Sequence, residues 1–279
     1  MLHKPTHLDT PVPLALRLLT FLTRHLPPMR GSGSIALYVI RPLWTRNHHE
    51  SYILPTWHGV KMLVDPEDCI GGILAFVPQL FDRWERKALI KLLPKTGTFV
   101  DVGANIGAYS LWAAQHCAPA ARIISIEADS ENFDHLKRNI GLNGFSQITA
   151  VHVGVSDHDD ELIFYRNTKG NRGAHNFCER GVPSGTVRCL PLSDALAQEH
   201  LAKIDVLKLD IEGFESKVLT QFFRDIPADS AIRPTYLLVE IEGGPQTRSE
   251  KVSLKQMILD NGYTLVHDGM NTMFQRAFA

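Results

Sequence analysis

Residues 98–110 read Thr-Phe-Val-Asp-Val-Gly-Ala-Asn-Ile-Gly-Ala-Tyr-Ser. An apolar, β-prone run ends in Asp101-Val102-Gly103, Gly107 follows after three residues, and an apolar pattern of helical period begins at Tyr109. The stretch therefore predicts a strand, a tight glycine turn and a helix. Glycine at 103 and 107 would let backbone amides approach a ligand that a Cβ would exclude, and the helix N-terminus would offer N–H groups to a carboxylate or phosphate. The spacing Asp-x-Gly-x-x-x-Gly differs from the Gly-x-Gly-x-x-Gly of dinucleotide folds, which argues against a nicotinamide dehydrogenase.

The next apolar run, Arg122-Ile-Ile-Ser-Ile126, ends at Glu127, about 20 residues beyond the glycines. Folds that bind nucleosides place an acid there to accept hydrogen bonds from ribose hydroxyls, and Glu127 is the candidate. From Gly97 onward, strand-like and helix-like runs alternate with short connections. That alternation predicts a doubly wound α/β fold with a mostly parallel sheet.

Several segments carry a family resemblance. The 101–107 turn resembles motif I of class I S-adenosylmethionine (SAM) methyltransferases, where it cradles the methionine end of the cofactor. Residues 127–144 resemble the helix after the ribose acid, closing in Asn143-Gly144, and Val153-Gly-Val155-Ser156-Asp157 resembles the end of the third strand. Ile204-Asp-Val-Leu-Lys208-Leu-Asp210-Ile-Glu212-Gly213-Phe-Glu215 resembles the Lys-x-Asp-x-Glu-Gly-x-Glu signature of the FkbM family of SAM-dependent methyltransferases, and Tyr236–Glu242 its following strand. The resemblance spans residues 60–245. It implies a seven-stranded Rossmann-like methyltransferase sheet with SAM as cofactor, and O-methylation of a hydroxyl on a sugar, glycolipid or natural product, so that the acceptor is a small molecule or glycan. The implied cofactor residues are Asp101, Gly103, Asn105, Gly107 and Glu127, with Val155 and Ser156 lining the adenine. A non-catalytic SAM-binding subunit, and transfer to a nitrogen or a carboxylate, stay open as alternatives. Enzymes of this fold that methylate nucleobase amines carry an Asn/Asp-Pro-Pro-Tyr run where this chain has Asp210-Ile-Glu212-Gly213, and a cytosine C5 enzyme would need a cysteine there.

Methyl transfer to an alcohol asks the protein for alignment, a dry pocket and removal of a proton. Asp210, ending the fourth strand, would serve as base or would bind a divalent cation such as Mg2+ that acidifies the alcohol. Glu240 and Glu242, two apart on the next strand, share a face and can join Asp210 around a hard cation. Glu212 and Glu215 read as caps of the following helix, and pairing of Glu240 with Lys208 is the competing structural reading. The long irregular stretch from Asn167 to Thr186 contains Arg172, His175 and Asn176, with His175 the one histidine placed to act as a base. Two short strands, Glu161–Tyr165 and Val187–Leu190, would hold that loop over the carboxyl ends of the sheet.

Residues 1–55 read as an N-terminal extension and residues 56–279 as the SAM-dependent methyltransferase domain. Within the latter, a strand pair at Gly59–Val64, a Gly71-Gly72 turn and a helix over Arg83–Leu93 lead into the sheet. The run Val12–Arg24 is interrupted by arginine and is short for a membrane span, which needs roughly 20 residues. Its amphipathic pattern leaves two expectations: a lid or docking helix packed on the enzyme, or a peripheral membrane contact through residues 13–26. The extension and the 167–186 loop would together close over the acceptor. A formal charge of −1 gives no field that would attract nucleic acid, and Cys69, Cys117, Cys178 and Cys189 lack metal-ligand spacing. They read as reduced thiols, so the expected location is cytoplasmic or at a membrane surface.

Overall fold

A computed structural model describes residues 11–25, 32–166, 177, 181–242 and 246–277. His175, Arg172 and Asn176 lie outside the described residues, as does Cys178. The described residues form two compact units that divide between Trp84 and Glu85, well beyond residue 55.

The first unit begins with helix α1 (Leu14–Arg24). A nearly continuous helix follows, built from α2 (Ser32–Ile35), a wider π-type turn over Ala36–Ile40 and α3 (Arg41–Thr45). Strands β1 (Tyr52–Pro55) and β2 (Lys61–Val64) pair antiparallel, with Tyr52 opposite Val64 and Pro55 opposite Lys61. Where the sequence suggests a turn at Gly71-Gly72, the chain instead runs through helix α4 (Cys69–Phe76). The Asp68 side chain caps it by accepting from the Gly71 amide at 2.9 Å. The glycines are there for close approach: a Cβ on Gly71 would collide with the Asp65 carbonyl, and one on Gly72 would lie 2.6 Å from the Arg41 guanidinium.

The second unit follows α5 (Arg83–Leu92), which spans the division between the units. Its elements are β3 (Thr98–Val102), α6 (Ala108–His116), β4 (Arg122–Glu127), α7 (Ser130–Asn143), β5 (Ile148–His152), β6 (Gly154–Ser156), β7 (Asp160–Arg166), β8 (Val182–Pro191) and α8 (Leu192–Ala197). They continue with β9 (Val206–Leu209), α9 (Glu215–Asp225), β10 (Tyr236–Glu240), α10 (Arg248–Asp260), β11 (Tyr263–His267) and β12 (Asn271–Arg276). Seven strands make one sheet in the order β11-β12-β10-β9-β3-β4-β5. The pairings from β10 through to β5 are parallel, and β12 runs antiparallel to both of its neighbours. After β3 the chain adds strands on one side and later returns to add β9 and β10 on the other, so the sheet is doubly wound and switches direction between β3 and β9. β6, β7 and β8 form a separate three-stranded sheet, which holds Val155 and Ser156, both buried. The two strands expected around the 167–186 loop are present as β7 and β8, each longer than the sequence suggests.

Alternation along the buried strands explains the two faces of the main sheet. Val100, Val102, Ile124, Ile126, Leu207 and Leu209 point into a core shared with α8, α9 and α10. The residues between them form a polar row on the other face, because register sets Asp101 opposite both Ser125 of β4 and Lys208 of β9. Helix α6 covers that row: Ser110 Oγ donates to Asp101 Oδ2 at 2.6 Å and accepts from Ser125 Oγ at 2.7 Å.

Two glycine substitutions separate close approach from free space. Gly71→Ala should destabilise the protein by more than about 1 kcal/mol, since the new methyl meets fixed backbone. Gly141→Ala, at an exposed position of α7 with nothing within 4 Å of the added Cβ, should stabilise it by about 0.5–1 kcal/mol. Denaturant unfolding of the two variants measures both, and equal losses would show that the α4 contact is misread.

Candidate active site

The turn after β3 brings three left-handed residues together, Gly103 (φ 78°), Asn105 (φ 51°) and Gly107 (φ 93°). Gly103 and Ala104 amides both donate to the Ile126 carbonyl at 2.9 Å, which holds the turn against the end of β4. The glycines answer to protein neighbours as well as to any ligand. A Cβ on Gly103 would strike the Asp210 carbonyl, and one on Gly107 would crowd Leu111 and Leu136 at 2.5 and 2.7 Å. The turn is thereby locked to the end of β9.

Glu127 stands beside this turn, buried at the end of β4. Its carboxylate accepts from the Asn105 amide at 2.7 Å and from the Asp129 amide at 2.8 Å. Burial pushes its pKa up to about 7 against the pull of those amides. Asp129 caps α7 by accepting from the Glu131 and Asn132 amides, and the Arg166 guanidinium of β7 holds its other oxygen at 3.0 Å. Arg166 so ties the smaller sheet to the helix that follows Glu127.

At the switch point lies a buried ammonium. Lys208 Nζ donates to Asp210 Oδ2 at 2.9 Å, stands 3.9 Å from Asp101 and lies 4.9 Å from the centre of the Tyr109 ring. Burial alone would lower its pKa, but Asp210 and Asp101 outweigh that and hold it above the ordinary lysine value. Asp101 is itself fully buried, and desolvation pushes its pKa up although Lys208 pulls the other way. Its Oδ1 has no hydrogen-bond partner.

Asp210, Glu212 and Glu240 converge, each offering an oxygen within 4.8 Å of the others. Glu212 reaches the group through a left-handed backbone (φ 56°), so it joins the cluster, where the sequence suggested a helix cap. Glu215, the first residue of α9, is not its cap: its carboxylate turns back to accept from the Ile211 and Gly213 amides of the preceding loop at 2.9 and 3.0 Å, and burial raises its pKa to about 7. Burial first, and then the charge of Asp210, raise the Glu240 pKa well above the ordinary carboxyl value. The partner that Lys208 takes is Asp210, where the competing sequence reading paired it with Glu240. Glu242, expected beside Asp210, is held elsewhere. β10 ends at Glu240, and the exposed Glu242 carboxylate accepts from Lys255 at 2.7 Å.

Lys208 is the residue that sequence reasoning undervalued. A lysine centred in a four-residue strand whose other members are buried and apolar was the available signal, since register must then set it against a neighbouring acid.

Comparison with known proteins follows this geometry. The Methyltransferase FkbM domain model matches residues 101–265. The chain is 32% identical over 158 residues to "Methyltransferase sdnD" of Sordaria araneosa, covering 46% of this chain and 61% of that protein. It is 24% identical over 144 residues to "Hexuronic acid methyltransferase AglP" of Haloferax volcanii, covering 52% of this chain and 55% of that protein. The chain thus spans less than two thirds of the length of these relatives. Among solved structures, a methyltransferase FkbM from Methylobacillus flagellatus KT aligns at 20% identity and a TM-score of 0.44, covering 77% of this chain and 56% of that one.

The buried carboxyls set a pH dependence. Folding raises Glu127 and Glu215 from 4.5 to about 7, so the folded chain binds more protons than the unfolded one across that window. Their contribution to stability is present below the unfolded value and is lost as pH rises through about 7. Glu240 adds the same sign at higher pH. The free protein should melt at a higher temperature at pH 6 than at pH 8, and Glu240→Gln should reduce the further loss towards pH 9. A melting temperature that rises with pH throughout would contradict the arrangement.

Proposed function

The chain belongs to the Methyltransferase FkbM domain family, and from that premise we propose that it is a SAM-dependent O-methyltransferase acting on a hydroxyl of a sugar, glycolipid or natural product. The observation that carries the reading is the placement of Asp210 and its salt-bridged Lys208 at the switch point, with the Gly103–Gly107 turn locked against the same strand end. Three features support SAM at that turn. Glu127 accepts from two amides and from the Asn132 side chain, which leaves part of its acceptor capacity for ribose hydroxyls. Asp101 keeps a buried oxygen without a hydrogen-bond donor. The turn itself precedes a helix N-terminus. We assign the adenine to Val155 and Ser156, which are buried in the smaller sheet.

When bound, SAM supplies an activated methyl group. The chain's own residues do the rest. Asp210, ion-paired with Lys208, accepts the proton that leaves the acceptor hydroxyl. Glu240, which converges with Asp210, helps to fix the orientation of that carboxylate. His175 stays a candidate for gripping the acceptor from outside the described residues.

The name of the Haloferax relative supports a sugar acid as acceptor class. Such an acid carries both hydroxyls and a carboxylate, so transfer to the carboxylate is the second reading. A carboxylate needs no base, and this separates the two. The convergence of Asp210, Glu212 and Glu240 also favours a test for a hard cation at the same place.

Incubation with SAM and hexuronic-acid glycans, read by mass spectrometry, should give a product heavier by one methyl that survives mild alkali, as an ether does and an ester does not. Asp210→Asn should lower turnover by roughly 10²–10⁴-fold while the affinity for S-adenosylhomocysteine is kept. An alkali-labile product with an active Asp210→Asn enzyme would instead establish the carboxylate reading. Loss of activity with chelator and its return with Mg2+ would replace the direct base by a cation. Glu127→Gln should weaken S-adenosylhomocysteine binding by about tenfold or more in calorimetry, as expected for losing hydrogen bonds to a charged acceptor.

A further inference from the structure

Helix α1 is amphipathic with its polarity reversed. Its buried side carries Leu16, Thr20 and Thr23. Thr23 Oγ1 donates to the Phe76 carbonyl at 2.6 Å and Arg24 Nη2 to the Ala75 carbonyl at 2.7 Å, so polar groups at the end of α4 anchor the helix. Its open side shows Leu14, Leu18, Phe21 and Leu22, each at least 55% exposed, in the i, i+4, i+7, i+8 spacing that ordinarily marks a core-facing stripe.

The helical stretch 32–45 repeats the pattern. Ile35, Tyr38, Val39 and Leu43 stand at least 51% exposed, again on one helical stripe, while Ala36 and Trp44 are buried. Two apolar stripes turned outward in one compact unit exceed what scattered surface leucines explain.

Charge identifies the occupant. Residues 10–49 contain Arg17, Arg24, Arg30, Arg41 and Arg46 and no aspartate or glutamate, in a chain whose formal charge is −1 overall. Arg17 and Arg46 are exposed beside the two stripes. A second copy of the same segment would set like charge against like charge. An anionic lipid surface supplies both an apolar boundary for the stripes and phosphates for the arginines. No helix among the described residues is long and apolar enough to cross a membrane, so contact would be in the plane of the surface.

We propose that the α1 and 32–45 helices dock this protein on an anionic membrane surface, with Leu14, Leu18, Phe21 and Tyr38 entering the boundary between headgroups and acyl chains. The inference does not depend on the methyl-transfer reading.

Flotation of the full chain with phosphatidylcholine vesicles, with and without phosphatidylglycerol, tests it. The protein should float with the anionic vesicles only, less so as salt is raised. Leu18→Glu/Phe21→Glu and Arg17→Glu/Arg46→Glu should each cut the bound fraction by at least about tenfold. Circular dichroism and melting should stay as in the wild type, because all four side chains are exposed. Absence of flotation, or equal flotation with both vesicle types, overturns the proposal. So does a dimer in sizing chromatography that Leu18→Glu/Phe21→Glu dissolves without any lipid binding, which would make a second copy the occupant.

Discussion

A single buried ammonium organises the catalytic unit. Lys208 is 2% exposed in the middle of a parallel sheet, where an uncompensated charge would cost several kcal/mol. Compensation comes from two directions, Asp101 across the ladder from β9 and Asp210 two residues along the chain. Asp101 in turn draws Ser110 from α6, and Ser110 draws Ser125 from β4. One charge therefore determines which face of β3, β4 and β9 is polar, and which helix covers it. The aliphatic alternation on the other face can then stay unbroken.

The same neighbourhood couples the two halves of the candidate site. The Gly103 backbone passes so close to the Asp210 carbonyl that no side chain fits between them, and the Asp210 amide donates to Val102 at 3.1 Å. The glycine turn and the Asp210 carboxylate are thus positioned relative to each other by one rigid backbone contact rather than by flexible side chains. Rigid strand ends give the small positional error that alignment-driven chemistry demands.

Much of the catalytic unit was legible because its information is local. The strand runs at 98–102 and 122–127 carry unbroken aliphatic alternation on one face, and the glycine turn between the first of them and α6 has a spacing of its own. What failed needed long-range knowledge. Gly71 and Gly72 look like a turn in sequence, yet they serve the approach of Asp65 and Arg41, residues that only the fold brings near. Glu242 was assigned to the face of Glu240 by strand periodicity, which holds only while the strand lasts, and β10 stops at Glu240. Glu212 looked like a cap because its left-handed backbone, which turns it into the carboxylate group, leaves no mark in the residue type. Reversed amphipathy in α1 is equally invisible, since periodicity reports a stripe and never says which way it faces.

The carboxyl groups around Lys208 cannot all ionise together. One ammonium faces both Asp101 and Asp210, and burial with the Asp210 charge raises the pKa of the next acid, Glu240. A cation entering beside these groups relieves the repulsion and favours their ionised forms. A sulfonium ligand carries such a charge and a thioether does not. On the proposed reading, a cationic sulfonium would meet more favourable electrostatics beside these carboxyls than a neutral thioether would.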